Sequence, residues 1–473
     1  MNRPGGRAAS LLDVLDLPGT TRILVHAVSS VDLPSYRAIK GPLLHGFAER
    51  ALLAARPRDV VCLTRAVDRA FLEHLARLGV GVAEDRIVVP EGGAVQSDRD
   101  LADRLAGDAA ALARIRALVA PGDALALEPF LASSRELHLA RTLERVLGRP
   151  VAVVGGREEA VARANRKHWI REQAVALGIP VAPGEVVDLG DAAAPSPVAR
   201  ARLEAAVGRW LRPTGAAILR GDRGAGGSST LVVRARSGTP GSGHGTGFAP
   251  GDAIDRALAP GENRLVLVES LLPFTVSPNL LVHLPEAGPV RCVGASDQRL
   301  DEHLTHRGNS APSRARTLPA MVRHAERLGG RLREEGCRGV IGIDFLEVPD
   351  PAGTPRALLV EVNPRVNGAL YPTALLEALA RRAAAHGSPI PRAYVSAGLA
   401  VPPQSYEALA ERAASLLLAP GAPRGVLPYH TGGLRHGKLF AVAIAARLPE
   451  AEALLEALAG IAQRGLPRSR ISP

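Results

Sequence analysis

The sequence predicts an α/β fold for the first third of the chain and an α+β fold for the remainder, and three observations carry this. Short apolar strands alternate with helical stretches between Arg22 and Val154. From Glu158 the order changes to helices, strands joined through Gly- and Pro-rich turns, and a charged strand pair at 339–368. Beyond residue 391 a small α+β unit remains. With 473 residues the chain has room for several cores, and the divisions read as 1–158, 159–390 and 391–473.

Taken in order, Arg22-Ile-Leu-Val-His-Ala reads as a strand, Leu44–Ala55 as a helix, Asp59-Val-Val-Cys-Leu-Thr as a second strand and Arg69–Leu78 as a helix. Ile87-Val-Val-Pro, Ala124-Leu-Ala-Leu and Pro150-Val-Ala-Val-Val are further strands, with a helix at Ser133–Leu147. This alternation describes an open, mostly parallel sheet covered on both faces. Val153-Val-Gly155-Gly156 opens like a dinucleotide turn, but no complete G-x-G-x-x-G comes after it. Glu158–Leu177 reads as one helical stretch closed by Gly178 in the position of a helix C-cap. A strand at Glu185-Val-Val, a helix through Leu211, and strands at Ala216–Arg220, Leu231–Arg234 and Arg264–Glu269 come next. Ser237–Gly247 is rich in Gly, Ser and Thr and reads as an insertion or exposed hairpin tip. Helices at 317–335 and Thr373–Ala385 flank the charged hairpin. The tail carries strands at Gly425-Val-Leu-Pro-Tyr and Leu439-Phe-Ala-Val-Ala-Ile, then a helix at Glu450–Ala462.

Composition narrows the partners. The net charge is +11, yet only Lys40, Lys167 and Lys438 are lysines among the 58 basic residues. The arginines are interleaved with acids instead of stacked in one run, and aromatics, at 3%, do not alternate with them to stack bases. A nucleic-acid partner is therefore not expected, and anionic substrates fit the charge better. No apolar run approaches the ~20 residues that span a bilayer, and no signal peptide is visible, so a cytoplasmic protein without a membrane partner is expected. Cys62, Cys292 and Cys337 lack metal-ligand spacing and read as free thiols.

The chemistry concentrates in the hairpin. Gly339-Val-Ile-Gly-Ile-Asp344-Phe-Leu-Glu and Leu358-Leu-Val-Glu361-Val-Asn363-Pro-Arg365 are strands separated by Pro349–Pro355, which cannot continue either. Alternation turns Glu361, Asn363 and Arg365 to one side, and Asp344 meets them if the strands pair in register. Two carboxylates and an amide oxygen form a hard oxygen set that suits Mg²⁺ bound to phosphate, and the guanidinium suits a phosphoryl group. The same residues would also serve as the wet face of an amphipathic strand. Against that, Asn-Pro stops the strand at its charged end, and Asn367-Gly368 adds a turn.

Three other features are ambiguous singly. Gly224-Ala-Gly226-Gly227-Ser228-Ser229 lies between two strands, either a flexible tip or a loop whose N–H groups cover phosphate, and Arg220 precedes it. It is no P-loop, since Lys-Ser/Thr is missing after it. Lys167 survives in an arginine-biased chain either by chance or because a compact charge is needed there. Glu269, before Ser-Leu-Leu272-Pro, reads as a strand end turned by Pro or as a hinge facing an adenine edge.

In this order, the pieces from Asn165 to Leu379 resemble the ATP-grasp superfamily, most specifically in Asp344 … Glu361-x-Asn363-Pro-Arg365. The resemblance implies an ATP-grasp fold, with an N-terminal open βα domain of the pre-ATP-grasp type and a small C-terminal α+β domain. It implies that the flap at 221–230, with Gly224, Gly226, Gly227 and Ser228, covers ATP. Lys167 and Arg220 would contact phosphates, Arg220 standing where the family more usually has Lys. Glu269 to Leu272 would form the adenine hinge, and Asp344, Glu361 and Asn363 would ligate Mg²⁺, or Mn²⁺ in its place. Arg365, with Arg220, would face the transferred phosphate. No acidic residue matches the ribose contact, which leaves Ser277 or Asn279. Two further stretches resemble the pheganomycin-type peptide ligases within that superfamily: the tail pattern Gly425-Val-Leu-Pro-Tyr-His430 … Lys438, and Gly294-Ala-Ser-Asp-Gln298 … Asn309. The resemblance thus implies an ATP-dependent carboxylate–amine ligase working through an acyl phosphate, with amino-acid or peptide substrates. It is compatible with a homodimer. An ATP-grasp kinase or a non-catalytic ATP-binding protein is the alternative. No general base is assigned; His306 and His430 are candidates by location only.

Overall fold

Strand β1 (Thr20–Val25) lies at the centre of a five-stranded parallel sheet, and from Thr21 onward it is buried on both faces. Such a strand should be continuously apolar, and Arg22 interrupts it at 0% exposure. Its guanidinium is neutralised in place: Nε and Nη2 donate to Asp59 at 3.0 and 2.6 Å, Nη1 to Glu128 at 3.0 Å, and Nη2 to the Ala54 carbonyl at 2.8 Å. In the computed structural model, residues 10–28, 46–91, 101–190, 196–224, 229–235, 247–259, 263–350 and 353–464 are described. The sheet order is β3-β2-β1-β4-β5, with β2 at Val60–Cys62, β3 at Ile87–Val88, β4 at Ala124–Pro129 and β5 at Ala152–Val153. The expected helix at Leu44–Ala55 is a 3₁₀ segment, Phe47–Leu53, in its described part.

Gly155 and Gly156 turn the chain out of this sheet. Gly156 has φ +95°, and a Cβ there would come within 2.1 Å of the Gly336 carbonyl. The glycine pair thus serves close packing against the start of the hairpin. No dinucleotide turn forms there.

A second, antiparallel sheet has the order β6-β9-β7-β8: β6 Gly184–Asp188, β7 Ala216–Gly221, β8 Thr230–Arg234 and β9 Leu265–Ser270. Of the Ser237–Gly247 segment only Gly247 is described, and the rest lies outside the described residues. The third sheet has eight strands, β14-β13-β10-β11-β12-β15-β17-β16. Here β13 (Gly339–Val348) and β14 (Arg356–Asn363) are the hairpin, and β10 (Pro278–Leu284), β11 (Arg291–Leu300) and β12 (His306–Ala311) continue it. The tail strands β15 (Ala393–Ala400), β16 (Gly425–Tyr429) and β17 (Lys438–Ala445) extend the same sheet through Ser310↔Val395 and Ala311↔Tyr394. Strands β10, β11, β12 and β15 are not evident from patterning. In β11, Gly294, Ser296, Asp297 and Gln298 lack the apolar alternation that marks a half-buried strand.

Helix 158–177 is in fact two helices, Glu158–Ala164 and Lys167–Ala176, separated by Arg166 in an extended conformation. The cause is distant in sequence. Asp222, just after β7, takes the Lys167 amide on its carbonyl (3.1 Å) and the His168 amide on its carboxylate (3.0 Å). A carboxylate that caps the first turn starts a new helix there.

Candidate active site

The hairpin pairs in the register that makes a site. Asp344 lies directly opposite Glu361, and Gly342 opposite Asn363, with a bulge just after Asp344. Asn363 Nδ2 donates to Asp344 Oδ2 at 2.9 Å. From the other side β10 contributes Asn279, paired in register with Asp344, whose Nδ2 donates to Oδ1 at 2.5 Å. Asn279 thus orients a carboxylate, Ser277 Oγ lies 3.4 Å from the Phe345 carbonyl, and both residues line the cavity described below.

The new helix start aims Lys167 inward. It is 7% exposed, and its Nζ lies 3.5 Å from Glu361 Oε2. Burial lowers the lysine pKa, opposed by Glu361. Burial would push Glu361 up, but the charges of Lys167, Arg220 and Arg365 hold it below its ordinary value. Asp344 is less well compensated. Burial, then the Glu361 charge, push it up from 3.8 to about 7 against the opposing pull of its amide donors and Arg365. Arg365 Nη1 donates to Asn165 Oδ1 at 3.1 Å, so the residue that ends the first helix also places this guanidinium.

Arg220 and Glu269, expected at phosphate and hinge, are joined to each other. Arg220 Nε and Nη2 donate to Glu269 Oε2 at 2.9 and 2.6 Å, and Nη1 donates to the Val360 carbonyl at 3.1 Å. Arg171 holds the other Glu269 oxygen at 2.8 Å and reaches the Ala182 and Gly184 carbonyls. Nη1 and Nη2 each keep a second N–H, so Arg220 can face a phosphate while it stays paired with Glu269. At Gly224, before the expected flap, a Cβ would lie 2.0 Å from Ser229 Oγ and 3.6 Å from Lys167 Nζ. Gly226, Gly227 and Ser228 lie outside the described residues.

A cavity of about 310 Å³ connects these groups. At one end Ile218, Leu271, Leu272, Phe274, Leu346 and Leu358 make an apolar slot next to Glu269. Along β14 and just past its end the lining passes from Leu358 to Glu361, Asn363 and Arg365, across from Asp344. Beyond them Phe130, whose carbonyl accepts the Val366 amide, leads to a far end with Phe47, Arg50 and Tyr429. His306 lines it with Nε2 2.9 Å from Asn309 Oδ1, whereas His430 is buried and stacked on Phe47 at 4.6 Å.

The donor set fits a magnesium ion. Among the described residues no three acidic, His or Cys side chains cluster as a self-sufficient metal cage. Two carboxylates and an amide suit a cation that takes its remaining oxygens from phosphate and water. The Asn363–Asp344 bond uses the amide nitrogen and leaves the oxygen for the cation. Because the ion must displace the Asp344 proton, metal–nucleotide affinity is expected to fall roughly tenfold per pH unit below about 7. The sign in the metal-free protein is consistent. A raised carboxyl pKa means the unfolded state deprotonates first, so this group costs stability as pH rises from about 4 to about 7. Calorimetric titration of Mg-ADP at pH 6 and pH 8 checks this; an Asp344→Asn variant should lose the pH dependence.

Residues 48–144 match the family model for the Pre ATP-grasp domain. The structure is similar to N5-carboxyaminoimidazole synthase from Aspergillus clavatus, solved with ADP and 5-aminoimidazole ribonucleotide, at 14% identity and a TM-score of 0.50. That match covers 94% of this chain and 99% of that one. N5-carboxyaminoimidazole ribonucleotide synthetase from Thermus thermophilus aligns at 16% identity over 95% of this chain and 100% of that one, with a TM-score of 0.49. D-alanyl-alanine synthetase A from Vibrio cholerae aligns at 17% identity over 54% of this chain and 72% of that one, with a TM-score of 0.37. No curated protein sequence matches the chain. The chain has the ATP-grasp fold, preceded by a pre-ATP-grasp domain. No described helix is long and apolar enough to cross a membrane.

Proposed function

We propose that the protein is an ATP-dependent ligase that joins a carboxylate to an amine through an acyl phosphate, with Mg²⁺ as cofactor. One observation carries the reading. The opposed Asp344–Glu361 pair, ringed by Lys167, Arg220 and Arg365, lies midway along a cavity that begins in an apolar slot and ends beyond the charges. The slot at Leu271–Leu272 suits an adenine ring, the hairpin its phosphates, and the far end the acceptor.

When bound at Asp344, Glu361 and Asn363, magnesium would neutralise phosphate charge and align the phosphoryl group for in-line attack. Lys167 and Arg365 hold negative charge on the transferring group, and Arg220 joins them through the N–H groups it does not give to Glu269 or Val360. A substrate carboxylate oxygen attacks the γ-phosphorus, the bond to the β-phosphate oxygen breaks, and ADP leaves. The amine nitrogen then attacks the acyl carbon, the carbon–oxygen bond to phosphate breaks, and the amide and inorganic phosphate form as the nitrogen gives up its proton. We take the substrates to be amino acids or peptides, by the resemblance of 294–309 and 425–438 to the pheganomycin-type peptide ligases.

Phosphate release with pools of acids and amines, coupled to mass detection, is the test. Expected is phosphate that depends on both partners, with a product lighter than their sum by one water. A product heavier by a phosphoryl group, with no free phosphate, would mark a phosphotransferase instead. Nucleotide binding without turnover of any pool would leave a non-catalytic ATP-binding protein.

A further inference from the structure

We infer that Arg50 binds a substrate carboxylate at the far end of the cavity, a negative group distinct from the phosphates of ATP. This deepens the proposed ligase function and rests on it for the identity of the ligand as a substrate.

Arg50 sits in the 3₁₀ segment Phe47–Leu53 and is 9% exposed. Its Nε donates to the Phe47 carbonyl at 3.0 Å. The guanidinium carbon lies 4.5 Å from the Phe47 ring centre, 4.8 Å from that of Tyr371 and 5.8 Å from that of Phe130. Among the described residues no carboxylate pairs with it, and neither Nη1 nor Nη2 has a hydrogen-bond acceptor there. The other buried arginines differ: Arg22 has Asp59 and Glu128, and Arg220 has Glu269. The acids near Arg50 are engaged elsewhere. Glu49 accepts from Thr431 and Gly432 and faces Arg65, and Glu128 serves Arg22.

A buried cation without a counter-ion is costly unless a ligand supplies one. With Nε committed, the Nη1–Nη2 edge remains, and its two parallel N–H groups match the two oxygens of one carboxylate. Aromatic walls hold the guanidinium in place and lower the local dielectric, which strengthens the pairing. Burial lowers the pKa of the nearby His26, and the single charge of a guanidinium suits a carboxylate better than a phosphate dianion. The box is tied to the reaction centre as well. The Phe130 carbonyl accepts the Val366 amide at 3.1 Å, next to Arg365, so a ligand seated on Arg50 is placed relative to the phosphoryl-facing guanidinium.

Fluorine-observed NMR of the full chain with para-fluorophenylacetate, its methyl ester and para-fluorobenzylphosphonate tests the site, alongside titration of ADP. Expected is broadening of the acid by the wild type at millimolar concentration, with none of the ester. Binding should be lost in Arg50→Met and retained at several-fold lower affinity in Arg50→Lys. No binding of the acid to the wild type, equal binding to Arg50→Met, or preference for the phosphonate would each overturn the proposal. The wild-type comparison of acid, ester and phosphonate holds even if Arg50→Met fails to fold. Failure of ADP to bind would overturn the ligase reading and leave the Arg50 result standing. With an active acid–amine pair, hydroxylamine trapping then assigns the carboxylate. Loss of hydroxamate in Arg50→Met, seen as a raised KM for the acid, places it on the acid. Retained hydroxamate with lost amide formation places it on the amine partner, and wild-type KM values for both overturn the proposal.

Discussion

Glu361→Gln is expected to abolish ATP turnover while the chain stays folded. The substitution preserves volume at a strand position paired with Asp344, so the hairpin register should survive. What changes is charge. Glu361 is the shared counter-ion of Lys167, Arg220 and Arg365, and one of the two carboxylates available to magnesium. Electrostatic stabilisation by a metal of this kind is worth several kcal/mol, so removal should lower kcat by about 10³-fold or more. Asn363→Ala should act in the same direction, since it removes an amide oxygen from the metal set and a donor from Asp344. ADP affinity without metal should hold or rise in Glu361→Gln, because Lys167 and Arg365 then meet phosphate without competition from the Glu361 carboxylate. Steady-state turnover, circular dichroism and ADP titration check the three parts. Normal turnover in either variant would sink the metal assignment.

The second large effect concerns stability, far from the chemistry. Arg22→Met should destabilise the protein by about 3–5 kcal/mol at neutral pH, the usual cost of removing one partner from a buried ion pair. Asp59 keeps Arg56 (2.8 Å), but Glu128 would keep only His26 at 3.5 Å. In the intact protein burial alone would raise Glu128, yet the Arg22 charge holds it at about 2. A depressed carboxyl pKa gives stability above the ordinary value of 4.5 that is lost as pH falls toward 2. The gap between wild type and variant should therefore narrow on acidification. Urea denaturation at pH 7 and pH 4 measures it, and a neutral-pH change below about 1 kcal/mol would contradict the argument.

Much of the architecture could be read from the residues because it depends on short-range rules. Alternating apolar strands and helices through Val154 announced the parallel sheet, and Arg69–Leu78 is the helix its pattern implies, capped by Asp68. The hairpin was legible because Pro349–Pro355 must break it, and because period-two alternation placed Glu361 and Asn363 on one side. Strand β11 was not legible. Its small and polar residues do not display the alternation of a strand with one apolar face, and Gln298 among them lines the cavity.

The missed site contacts share one cause: the two partners are distant in sequence. Asn279 reaches Asp344 across 65 positions, Arg171 reaches Glu269 across 98, and Arg365 reaches Asn165 across 200. Nothing around Asn279 or Arg171 sets them apart from ordinary surface polar residues. Arg50, one arginine among many, stands out only when its aromatic surroundings are seen.

By itself the sequence determined that a charged strand end carrying Asp344, Glu361, Asn363 and Arg365 exists, since strand period and turn chemistry are local properties of the chain. Only the tertiary structure decided how those charges are shared. Asp222 breaks a helix to aim Lys167 at Glu361, Glu269 holds Arg220, and Asp344 is left with amide donors and a pKa of about 7. Burial and charge separation in space set these couplings, and neither is a function of spacing along the chain.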